Sequence, residues 1–122
     1  MEERIKKIIE HYEHAKEKHP FFADAMCSPQ VLPDWMSGGE WARPVNEAHV
    51  KKWQDIAMGR KVLCVQRPTA ERILDAELAE IYEAWNRRDM EQARHEIYDA
   101  IAVLLRMEDH LEKLTKAPGM RA

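Results

Sequence analysis

Ile5, Ile8, Ile9, Tyr12 and Ala15 recur at intervals of three and four, with Glu, Lys and His between them. That period predicts an amphipathic helix over residues 2–19. Pro20 ends it, because a proline pushes the preceding His19 out of the α region. Asn46, followed by Glu47, predicts the N-cap of a short helix that runs to about Met58. Val50, Trp53 and Ala57 share its inner face, and Gly59 closes it. Lys61-Val62-Leu63-Cys64-Val65-Gln66 is the only strand-like run. One isolated strand is rarely stable, so this run reads as an extended connector, with a short strand as the alternative. Thr69 caps a third helix from Ala70 to about Asn86. Asn86-Arg87-Arg88-Asp89 is a polar hairpin turn, and a last helix follows from about Met90 to Lys116, stopping at Pro118-Gly119. The expected core stripes are Leu74, Leu78, Ile81 and Trp85 in the third helix, and Ile97, Ile101, Leu104 and Leu111 in the last.

Pro29, Pro33 and Pro44, with Gly38-Gly39, forbid a long regular element in residues 20–45. Phe21, Phe22, Trp35, Met36 and Trp41 make this stretch too apolar for a free linker. It is expected to fold back over the core, or to cap a pocket or a partner subunit. The chain thus reads as one all-α domain spanning residues 1–122. It is a small helical bundle with an antiparallel hairpin and an irregular insertion, rich in proline and tryptophan, at about 20–68. Domains of this size often complete their cores by association, so a homo-oligomer is expected.

Composition narrows the function classes. The 122 residues are 45% hydrophobic and 34% charged, which suits an ordered helical protein. A net charge of −3 gives no basis for binding a nucleic-acid polymer. No apolar run approaches the roughly 20 residues of a membrane span. The N-terminus is charged throughout and carries no signal-peptide core. Cys27 and Cys64 lie far apart and form no CxxC pair, so two reduced thiols in a cytoplasmic setting are expected.

The acidic residues of the last two helices carry the chemistry. At 100° per residue, Glu77 lies about 60° and Glu80 about 120° from Leu74, along one edge of the third helix's stripe. Glu96 lies about 100° from Ile97, at nearly the angle of Val103 and Met107. It therefore occupies a face that turns apolar further along, with Asp99 just beyond it. A hairpin sets the two carboxylate pairs opposite each other. Four carboxylates beside a core repel one another and lose hydration. A hard divalent cation with oxygen ligands removes that conflict. Acidic pairs three apart also occur on ordinary solvated helix faces.

Leu-Asp-Ala-Glu-Leu-Ala-Glu-Ile (74–81) has the form ExxE, and His-Glu-Ile-Tyr-Asp-Ala-Ile-Ala-Val-Leu-Leu-Arg (95–106) has the form ExxD leading into an apolar helix. This pattern resembles the MazG-like nucleotide pyrophosphohydrolases of the all-α NTP pyrophosphatase superfamily, which includes dimeric dUTP pyrophosphatases and phosphoribosyl-ATP pyrophosphohydrolase. The resemblance spans about residues 70–110. It implies Mg²⁺-dependent hydrolysis of a nucleoside triphosphate to the monophosphate and pyrophosphate, with Mn²⁺ as an alternative ion. It also implies a homodimer or homotetramer. Carried over by position, it makes Glu77, Glu80, Glu96 and Asp99 the metal ligands. A non-catalytic helical oligomer that keeps the fold for partner or nucleotide binding is the competing expectation.

Other candidates are weaker. Arg60, Lys61, Arg67 and Arg72 lie before or at the start of the third helix and could meet phosphates. Trp53, flanked by Lys51 and Lys52, could stack a base, but reads first as a core anchor. Trp35 and Trp41 could stack a base from the long loop. His11 and His14 share a helix face and read as an exposed pair, and His95 points roughly 100° away from Glu96.

Overall fold

The computed structural model describes residues 1–19, 26 and 44–116. Four α-helices account for most of them, and the described residues contain no strand. The all-α expectation holds. The chain divides into two units, Met1–Arg43 and Pro44–Ala122. The roles expected for Phe21, Phe22, Trp35, Met36 and Trp41, and the stop at Pro118-Gly119, lie outside the described residues.

In the first unit, α1 spans Glu2–Lys18. Glu2 and Glu3 open it and Lys16 and Lys18 close it, each complementing the helix dipole. Its stripe of Ile5, Ile8, Ile9 and Tyr12 is exposed.

The second unit holds α2 (Glu47–Gln66), α3 (Ala70–Asn86) and α4 (Met90–Lys116). Asn46 caps α2 as expected, its Oδ1 accepting from the amides of Ala48 and His49 at 3.0 and 3.2 Å. The rest of α2 corrects the sequence reading. It runs straight through Gly59 and the Val62–Val65 run, where a glycine stop and an extended connector were expected. A short apolar run has no period of its own to choose helix over strand. Packing against α3 decides it here. Arg60 Nη1 donates to the Asp75 carbonyl at 2.8 Å, and Lys61 pairs with Glu80. Both contacts need this stretch wound as a helix. Before Pro68, Arg67 is extended, and it ends the helix.

Thr69 caps α3 by accepting from the Arg72 amide at 3.2 Å. The α3–α4 turn closes as a Schellman motif: Asp89 N–H donates to the Ala84 carbonyl and Arg88 N–H to that of Trp85. Arg88 takes the left-handed conformation, φ 62°, that glycine usually fills. Its guanidinium lies over the Trp85 ring and donates to the Trp85 carbonyl. Asp89 then caps α4, accepting from the Gln92 amide at 3.0 Å.

α3 is the middle layer, packed on α2 along one side and on α4 along another. Full burial goes to Ala76, Ala79, Ile81 and Ala84, while Leu74, Leu78 and Trp85 are half-buried. A helix enclosed on two sides needs small residues where its neighbours come close. On α4 the expected stripe is not the buried one. Ile101, Leu104 and Leu111 are exposed, and burial falls on Ala93, Glu96 and Ala100, followed by half-buried Val103 and Met107. α4 has two apolar faces, and α3 takes the one with alanines.

Candidate metal centre

Because α4 buries its alanine face, Glu96 is carried inward against α3. It is only 8% exposed, the one buried charged side chain among the described residues. Its Oε1 accepts from Gln92 Nε2 at 2.6 Å, one turn earlier on α4. Its Oε2 is buried and has no hydrogen-bond partner among the described residues. Glu77 and Glu80, one turn apart on α3, face it. Ligand oxygens of Glu77, Glu80 and Glu96 lie within 4.8 Å of one another. Glu77 Oε2 is also buried without a partner.

The electrostatics reflect this crowding. Burial pushes the Glu77 carboxyl above its usual range, helped by the charges of Glu80 and Asp99 and opposed by Glu96 and Lys61. Burial also raises Glu80, together with its contact to Glu96, against the pull of Lys61. Lys61, on α2, brings Nζ to 2.7 Å from Glu80 Oε1. That contact raises its own ammonium above the usual value.

Asp99 stands at the edge. It groups with His95 and Glu96 rather than with the Glu77–Glu80 pair. His95 Nε2 lies 3.5 Å from Asp99 Oδ2. The arrangement expected from sequence thus separates into three carboxylates in one group and Asp99 beside them. His95 reaches the cluster although its Cα direction differs from that of Glu96. Its i, i+4 relation to Asp99 was the available signal.

The donor set fits a hard divalent ion. It consists of carboxylate oxygens alone, which suit Mg²⁺ or Mn²⁺ better than a thiolate-seeking metal. Among the described residues, two of those oxygens have no hydrogen bond that would offset their burial. Beside the cluster, Lys61, Glu80, Glu83, Arg87, Asp89, Gln92 and Glu96 line a cleft of about 350 Å³.

No family model, curated protein or solved structure matches this chain.

Three of the weaker candidates, Trp53, Arg72 and Arg67, sit differently. Trp53 is buried on α2, its ring 4.9 Å from that of Tyr82. Arg72 Nη1 donates to the carbonyls of Leu63 and Arg67, tying the end of α2 to the start of α3. Arg67 is exposed at the α2 C-cap. Neither arginine lines the cleft. Lys61, Gln92 and Arg87 complete the surroundings. Gln92 and Arg87 were not among the sequence candidates, although each makes an i, i+4 contact, to Glu96 and to Glu83, that sequence spacing could have suggested.

Proposed function

We propose that this chain is a Mg²⁺-dependent nucleoside triphosphate pyrophosphohydrolase of the MazG-like kind, converting (d)NTP to (d)NMP and pyrophosphate. The observation that carries this reading is Glu96. It is a nearly fully buried carboxylate with one unpartnered oxygen, facing two further carboxylates. A merely structural glutamate would be exposed or paired on both oxygens. The order ExxE then ExxD, on paired antiparallel helices, supports the same assignment.

Glu77, Glu80 and Glu96 would hold the ion, with Asp99 at its margin. Mn²⁺ is the alternative occupant. A bound divalent ion supplies charge neutralisation on the phosphates and makes a bound water a better nucleophile. The chain's own residues set the stage. Gln92 holds Glu96 in one orientation through the 2.6 Å contact. The cleft shares Glu80 and Glu96 with the cluster, and Lys61 and Arg87 bring positive charge to its lining. Glu83 and Asp89 keep Arg87 at its wall.

The reading includes a homodimer or homotetramer in the cytoplasm. Support for association comes from α4, where Ile101 and Leu104 are 45% and 49% exposed. No described helix is long and apolar enough to cross a membrane. The same exposed face favours the second reading, a non-catalytic helical oligomer for partner or nucleotide binding.

Pyrophosphate release from a panel of nucleoside triphosphates with Mg²⁺ separates the two. The wild type is expected to release pyrophosphate and monophosphate from at least one of them. Glu80→Ala should lower that rate at least about 100-fold, more than an outer-shell partner is worth. If no nucleotide is hydrolysed and Mg²⁺ leaves the melting temperature unmoved, the enzyme reading fails.

A further inference from the structure

Two cations line the cleft, and they are held in different ways. Arg87 is fixed by a fork: its Nε and Nη2 donate to both Glu83 oxygens at 2.6 and 3.0 Å, and its Nη1 lies 3.4 Å from Asp89 Oδ2. Two parallel charge-assisted bonds fix a guanidinium in place. Among the described residues Lys61 makes one ion pair, to Glu80 Oε1 at 2.7 Å, and its side chain is 62% exposed on a flexible stem. The carboxylate it pairs with belongs to the Glu77–Glu80–Glu96 group. An ammonium and a divalent ion repel each other, so they compete for that group rather than share it.

We propose that Lys61 is a displaceable counter-ion. This rests on the metal-centre reading above. In the metal-free protein Lys61 neutralises Glu80. A divalent ion taken up by Glu77, Glu80 and Glu96 expels the ammonium into the cleft it already lines. There it meets a phosphate oxygen of the substrate. Lys61 is thus a substrate-positioning residue that becomes available only once the metal is in place. Metal and polyphosphate then favour each other's binding, reciprocally. The cluster is held ready for the ion by Glu96, more than nine-tenths buried with Oε2 unpartnered.

Calorimetric titration of Mn²⁺ into the wild type and Lys61→Met tests this. A second titration adds inorganic pyrophosphate, as its Mn²⁺ complex, to the Mn²⁺-loaded proteins. Lys61→Met should bind Mn²⁺ about tenfold more tightly, the order expected on removing a unit charge a few ångström from a divalent ion. The same variant should hold pyrophosphate about tenfold more weakly, and Lys61→Arg should recover pyrophosphate binding. A structural role for Lys61 does not tighten metal binding. If the wild type binds Mn²⁺ and Lys61→Met binds it no more tightly, the counter-ion role is overturned and the metal centre stands. If neither protein binds Mn²⁺, the metal-centre reading falls and this one with it.

Discussion

Glu96→Gln is expected to stabilise the metal-free protein while abolishing hydrolysis. Glutamine keeps the shape, and its amide can donate to the Glu77 or Glu80 carboxylate. Removing a buried unsatisfied charged oxygen should raise the unfolding free energy by about 1–3 kcal/mol, measured by urea melts in chelator. The pH dependence follows from the same crowding. Glu77 and Glu80 titrate above the usual carboxylate range in the folded chain. Just above that range the folded state therefore binds more protons than the unfolded one. The contribution of these two groups to stability is fully present below the ordinary carboxylate value and is lost as pH rises through the raised values. Glu96→Gln should flatten the part of that loss that comes from Glu80, because Glu96 is among the causes raising Glu80. With Mg²⁺ and nucleotide, the variant should lose at least about 100-fold in rate. A variant that is less stable without metal would contradict the burial argument. One that hydrolyses normally would contradict the role of Glu96 as a ligand.

Trp53→Ala should produce the largest loss of stability, about 3–5 kcal/mol by denaturant melts. Trp53 is the largest buried side chain on α2, 9% exposed, with Val50 and Ala57 on the same face. Its ring meets Tyr82 of α3 at an interplanar angle of 59°, a tilted aromatic contact. A loss of that size is a large share of the roughly 5–15 kcal/mol available to a domain. Trp53→Phe should be milder, because Nε1 is buried without a partner among the described residues and phenylalanine removes it. Should Trp53→Ala leave stability intact and weaken nucleotide affinity instead, the ring is a base platform rather than a core anchor.

Local signals foretold what local chemistry decides. Asn46 and Thr69 cap the helices they were expected to cap, and the α3–α4 boundaries match the polar turn. Glu96 stood out because the rest of its face, Val103 and Met107, is apolar, and that face is the one α3 covers. What failed was decided by neighbours. Residues 61–66 have no period of their own, so their helical state became visible only with Arg60 and Lys61 reaching α3. The hydrophobicity of Ile101 and Leu104 outweighed the small size of Ala93 and Ala100, yet close helix packing selects for size. Lys61 appeared only as one basic residue among four, since its contact with Glu80 joins two different helices.

The most direct test of the metal centre is diffraction at the manganese edge, from crystals soaked with Mn²⁺ and an α,β-imido nucleoside triphosphate. An anomalous peak is expected among the carboxylates of Glu77, Glu80 and Glu96, with the phosphates in the adjoining cleft and Lys61 released from Glu80. A structure with no peak at that position, Lys61 still paired with Glu80 and nucleotide absent or bound elsewhere would contradict it.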